Sequence, residues 1–238
     1  MMNGLFNTDG AARLVKRYQQ LHQIAWKLNN EILPNYLPRQ AHETCAKKLG
    51  LWQRGTLVLE SEDEIGVLID YCIHDFRPKA GNAVEQYVAD ANPDPDSDEY
   101  VVLKAMRESF HTLVQVAEVL PGVGVRVVDL SAEGCEYLIV DLGFGTSAKK
   151  GWMLAARILP FDEFVTTSGA GLPVDEGTLA EIRRSILPRY GTDKDGRCPL
   201  HGGRQKAGDL AAAIIRLCLS RHAMDRIQYA DVPPPHRL

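Results

Sequence analysis

The sequence predicts an α+β protein in three parts: an N-terminal helical domain over 1–110, a small five-stranded antiparallel SH3-like β-barrel over 111–172, and a C-terminal helical segment over 173–238. Two observations carry this reading. Up to Phe110 the apolar residues recur at three- and four-residue steps, the period of a helix face. After Phe110 they gather in short Val/Leu/Ile-rich runs separated by Pro, Gly and polar residues, the pattern of successive strands. The composition fits a packed domain, since 238 residues with 45% hydrophobic and 24% charged side chains are enough to bury a sizeable core.

The elements follow in order. Leu14, Tyr18, Leu21, Ala25, Leu28 and Ile32 fall on one helical face, and Pro34 ends that pattern. Pro38 opens a second helix that closes at Gly50. Ser61 and Glu64 have capping-box spacing, and Ile65, Leu68, Ile69, Cys72, Ile73 and Phe76 form the apolar stripe of a third. A short helix is expected from Asn82 to Ala89 and another from Asp98 to Phe110. Between them, Asp94, Asp96 and Asp98 imitate half of a calcium loop. Glu99 stands where such a loop needs glycine and Ala105 where it needs its last ligand, so helix initiation explains the acids better.

The expected strands are HTLVQVAEVL, GVGVRVVDL, CEYLIVDL, GWMLAARIL and EFVTT, and closing them into a barrel removes exposed edges. Pro121-Gly122 suits a β-turn between the first two, because proline presets φ and glycine accepts a positive one. The glycines that follow are no nucleotide fingerprint: Val127 occupies the third glycine's place and a strand, not a helix, comes next. GFGTSAKKG lacks the ending of a P-loop and reads as a loop between strands. Helices are expected from Asp175 to Leu187 and from Ala207 to Ile227.

The runs AMRESFHTLVQVAEVLPGVGVRVVDL and YLIVDLGFGTSAKKGWMLAARILPF resemble the central segment of a loose group of uncharacterised bacterial proteins, many ending in a SEC-C zinc motif. The resemblance spans roughly residues 60–170 and implies a helical lead-in to a β-barrel core with a variable C-terminal appendage. It implies no activity, and the SEC-C cysteine arrangement is absent from this sequence.

The formal charge is −4, which announces no nucleic-acid partner. Its distribution is uneven: residues 1–61 and 176–238 carry an excess of four positive charges each, whereas 62–110 and 111–175 are acidic. These blocks serve either each other or a charged partner. The beginning of the chain lacks a basic stretch followed by an apolar one, and LAAAIIRLCL is too short to span a bilayer. A cytoplasmic protein without a membrane partner is therefore expected. Five scattered cysteines, an odd number, read as reduced thiols.

Three sets of residues invite chemistry. Cys198 and His201, with Cys218 and His222 one helical turn apart, have the ligand types of a structural Cys₂His₂ zinc site. Alternatively, Cys218 packs on the apolar face of Leu210, Ile214, Leu217 and Met224. His74-Asp75, with His42 upstream, suggests a metal-dependent hydrolase, although a histidine at a helix C-terminus also complements the helix dipole. Arg183, Arg184, Arg189, Arg197, Arg204 and Lys206 form the basic surface that a nucleic acid would need. No nucleophile paired with a base stands out, so the sequence favours a non-catalytic protein-binding module whose partner is another protein.

Overall fold

The computed structural model describes residues 8–131, 135–190 and 204–226. Helix α1 (Thr8–Lys27) runs into a wider π-helical turn at Leu28–Ile32 and a short 3₁₀ turn at Leu33–Tyr36 that starts on Pro34. As the periodicity predicts, Leu14, Tyr18, Leu21 and Leu28 are buried, packed with Val102, Leu103 and Met106 of α5 (Asp98–Glu108). Helix α2 (Gln40–Leu49) stops at Gly50, whose φ of +83° provides the left-handed C-cap. A two-residue hairpin, β1 (Trp52–Gln53) with β2 (Thr56–Leu57), follows and has no counterpart in the sequence reading.

Helix α3 (Asp63–Asp75) departs from expectation at its start. The Ser61–Glu64 capping box does not form: Glu64 instead accepts the Glu60 N–H at 2.7 Å, and Ser61 Oγ is buried without a partner. The buried face is also rotated. Val67, Leu68, Tyr71, Cys72 and Ile73 point inward, while Ile65 stays 47% exposed. The capping box belongs to α4 (Ala83–Ala91), where Asn82 and Glu85 satisfy each other's backbone N–H groups. Ser97 caps α5, its hydroxyl accepting the Tyr100 N–H at 3.1 Å.

The sheet contains β3 (Phe110–Leu120), β4 (Gly124–Asp129), β5 (Glu136–Val140), β6 (Met153–Pro160), β7 (Val165–Thr167) and β8 (Leu172–Val174). Five of them close in the order β3-β4-β5-β7-β6, with β6 returning to β3, and β8 adds to β6 beyond β7. The expected all-antiparallel barrel is corrected here: β5 and β7 pair in parallel, so the barrel is mixed. The reason lies in the connection. A helix, α6 (Leu142–Ser147), occupies the stretch read as a loop, and it carries the chain across so that β6 forms beside β3. The β6–β7 hairpin then brings β7 back alongside β5 in the same direction.

Two glycines make this arrangement possible. A side chain on Gly124 would bring Cβ to 2.0 Å from the Ile139 carbonyl oxygen, and one on Gly145 would meet the Gly124 Cα at 2.8 Å. Helix α6 thus lies directly on the start of β4. Gly122, with φ of +76°, makes the expected turn, closed by the Val123 N–H donating to the Leu120 carbonyl at 3.0 Å. Val114, Val116, Val125, Val127, Ile139 and Ile158 fill the barrel.

On the outer side, Leu113, Ala155 and Leu172 join an apolar cluster with α2, α3 and α9 (Arg204–Ser220). That cluster also takes in Leu179 and Ile182, from α7 (Glu176–Glu181) and the π-turn Ile182–Ile186 that leads to α8 (Leu187–Tyr190). The contact is anchored by the Tyr71 hydroxyl donating to the Gly208 carbonyl at 3.0 Å. Apolar clusters therefore connect all three parts read from the sequence. No helix among the described residues is long and apolar enough to cross a membrane.

Candidate functional site

Where α3 meets the barrel, charge is buried. Arg157 projects from β6 into this contact with its side chain 3% exposed, and two carboxylates of α3, Asp70 and Asp75, meet it. Its Nε donates to Asp70 at 3.0 Å and its Nη2 to Asp75. Burial disfavours a charged Arg157, but the two carboxylates outweigh that and raise its pKa further. Burial also works to raise Asp70, yet Arg157 holds its carboxyl below the usual carboxylate range. At Asp75 the balance tips the other way: burial raises the carboxyl despite the guanidinium.

Two histidines complete the cluster. His74 Nε2 lies 3.9 Å from Asp70, and its Nδ1 is 3.5 Å from Ser109 Oγ. His111 on β3 stands opposite Arg157 in the β3–β6 register, buried, with Nδ1 lacking a hydrogen-bond partner. Burial first, and then the neighbouring guanidinium charge, drives both imidazoles down to about 3. Both are therefore neutral at pH 7.

The residues proposed for hydrolase chemistry thus sit inside a network of pairs. His74 is 4% exposed, Asp75 is engaged by Arg157, and His42 lies on the exposed face of α2. No group of three or more His, Cys, Asp or Glu side chains among the described residues is arranged to hold a metal ion. Of the expected zinc ligands, Cys218 is buried in the apolar cluster around α9. His222 is exposed, with Nδ1 2.7 Å from Glu60. Cys198 and His201 lie outside the described residues, as does Arg197 of the basic set. Arg183, Arg184 and Arg189 are exposed, and Arg184 pairs with Glu181.

Asp70 has a second exposure, and it leads to an open site. A cavity of about 520 Å³ lies between the C-terminal half of α1, the first turns of α3 and the loop joining β7 to β8. Four carboxylates line it, those of Glu62, Asp63, Asp70 and Asp141, and no lysine or arginine does. Each is placed by its own element. Glu62 and Asp63 start α3, Asp70 follows two turns later, and Asp141 caps α6 by accepting the Phe144 N–H at 2.9 Å. Tyr18, Trp26, Phe161 and Phe164 supply aromatic walls, with the two phenylalanine rings stacked 5.2 Å apart.

The π-helical turn after α1 directs Asn29 into the wall, where its Oδ1 is buried without a hydrogen-bond partner. At the lip stand two large apolar side chains exposed to solvent, Trp26 at 56% and Ile65 at 47%. The sequence reading missed Arg157, Asp70 and Trp26. The available signals were an arginine inside the apolar strand run MLAARIL and a tryptophan off the apolar face of its helix.

These features define a class: an α+β protein in which helices pack on a closed mixed barrel, with a carboxylate-lined cavity beside a buried ion-pair cluster. Residues 12–192 match the Family of unknown function (DUF7986), and the chain belongs to it. No curated protein and no solved structure matches the chain.

Proposed function

We propose that this is a non-catalytic, protein-binding module of the cytoplasm, and that the cavity lip formed by α1 and α3 is its contact surface. One observation carries the reading. Trp26 and Ile65 are the two most exposed of the four exposed large hydrophobic residues found among those described, and both stand at the mouth of the same cavity. Aromatic and aliphatic side chains left in water around a concavity have the make-up of an interface core. The titratable groups that would serve catalysis support the reading from the other side: Asp75 is paired with Arg157, and His74 is buried against Asp70. The SEC-C-like bacterial kinship and a structural zinc on Cys198, His201, Cys218 and His222 belong to the same proposal, the metal tying the 190–206 stretch to the final helix.

The test places a photo-crosslinking amino acid at Trp26 and, separately, at exposed Arg183, and irradiates intact cells of the source. A discrete protein adduct from position 26, abolished by Ile65→Glu and absent from position 183, is expected. Adducts to nucleic acid from position 183, with none from position 26, would overturn the proposal in favour of nucleic-acid binding through the basic C-terminal helices.

A further inference from the structure

We propose that the cavity receives a cationic side chain, the guanidinium of an arginine or the ammonium of a lysine, presented by the partner protein that contacts the lip. This rests on the protein-binding reading and adds the chemistry that would be recognised.

The lining of the cavity sets what it offers a ligand. Its lining carries four carboxylates and neither lysine nor arginine, so it favours positive charge and repels phosphate. Tyr18, Trp26, Phe161 and Phe164 are also in its lining, and aromatic side chains attract a cation most strongly where water is partly excluded. Asn29 also lines the cavity and places a side-chain amide beside the carboxylates. Its volume of about 520 Å³ lies within the range of sites that enclose a compact ligand.

The floor adds to the preference for charge. Asp70 and Asp75 share the single guanidinium of Arg157, and nearby Arg77 is committed to Glu85 at 2.6 Å. A second cation approaching Asp70 from the cavity side therefore meets a carboxylate only partly neutralised.

The lip selects the source. A free amine would be satisfied by carboxylates and rings alone and would leave Trp26 and Ile65 in water. A basic side chain flanked by apolar residues on a protein surface covers them while its head enters the cavity. Arginine fits this best, because its guanidinium both stacks on aromatic faces and donates to several acceptors at once.

The probes are N-acetyl-arginine methylamide, its lysine and citrulline counterparts, and a peptide placing one arginine between two leucines. Each is titrated into the wild-type chain while NMR follows the Trp26 indole and Asn29 side-chain amide signals. Saturable shifts are expected with arginine and lysine, with citrulline weaker by about tenfold because it keeps the shape and loses the charge. The peptide is expected to bind more tightly than the capped arginine, and Glu62→Gln, on an exposed side chain, to weaken both. Equal binding of citrulline and arginine, or no saturable shift with any probe, would overturn the proposal. If the capped amino acid binds as tightly as the peptide, the ligand is a free cation and the protein source is wrong. A Trp26 crosslink to a partner together with equal citrulline and arginine binding would remove the cation while leaving the protein-binding reading intact.

Discussion

Acidification from pH 7 to pH 5 is expected to cost this protein stability through its two buried histidines, without any carboxylate titrating in the usual way. In the unfolded chain an imidazole titrates near its ordinary value of about 6.5. In the native state His74 and His111 are held down to about 3, first by burial and then by the charge of Arg157. Between those values the unfolded chain binds protons that the folded chain refuses. Stability is therefore full above the unfolded value and falls as pH drops toward the folded one. By pH 5 the loss is about 2 kcal/mol per histidine, or about 4 kcal/mol for both, a large share of a typical domain's total. Asp70, whose carboxyl is lowered, loses its contribution only at more acid pH. Asp75, whose carboxyl burial raises, works in the opposite direction, so the contrast between variants is the sharper measurement. Urea unfolding of wild type and His111→Gln at intervals from pH 7.5 to about 5 tests this. The variant should lose about 2 kcal/mol less than wild type over that window. Parallel curves for the two proteins would show that His111 takes up its proton without penalty, and the account of the cluster would fail.

Other outcomes follow from single contacts. Arg157→Met leaves Asp70 and Asp75 buried against each other and should destabilise by about 3–5 kcal/mol in urea unfolding, with much of the loss recovered in Arg157→Met/Asp70→Asn/Asp75→Asn. Gly124→Ala forces a Cβ onto the Ile139 carbonyl and should cost more than Gly122→Val. At Gly122 there is open space, and only the positive φ is violated, at about 1–2 kcal/mol. Thermal melts rank the two, and the reverse order would contradict the packing of α6 on β4. Elemental analysis of the purified chain tests the zinc expectation: stoichiometric zinc lost on Cys198→Ser supports it. Metal-free protein whose α9 amides resist exchange would leave Cys218 as a core side chain.

The helices show how far periodicity carries. The face of α1 was legible because a stripe of apolar residues fixes which side of a helix must leave water, whatever it packs against. The same logic misplaced Ile65, because α3 is buried on two sides by different partners, one centred on Leu68 and Cys72 and another on Ile73. No single stripe describes such a helix. The position left over, exposed at the cavity lip, became the informative one.

The candidate site was legible only in fragments. His74 and Asp75 drew attention as a pair, but the partner of Asp75, Arg157, lies more than eighty residues away, and nothing local to either stretch announces the match. The cavity is still less local, since its walls come from α1, the turn after it, α3 and the β7–β8 loop.

What the sequence by itself determined was local: helix periods up to Phe110, strand runs after it, the turn at Pro121-Gly122 and the cap at Gly50, each set by sterics and burial within a few residues. Tertiary structure alone decided that β7 runs parallel to β5, that α6 lies on Gly124, that two acids share one arginine and that Trp26 stays in water. Those outcomes depend on where the chain goes after it leaves each element, and on which distant surfaces then compete for the same space. Short-range patterning does not encode that competition, because identical local periods are satisfied by many chain paths and only the packed whole selects one.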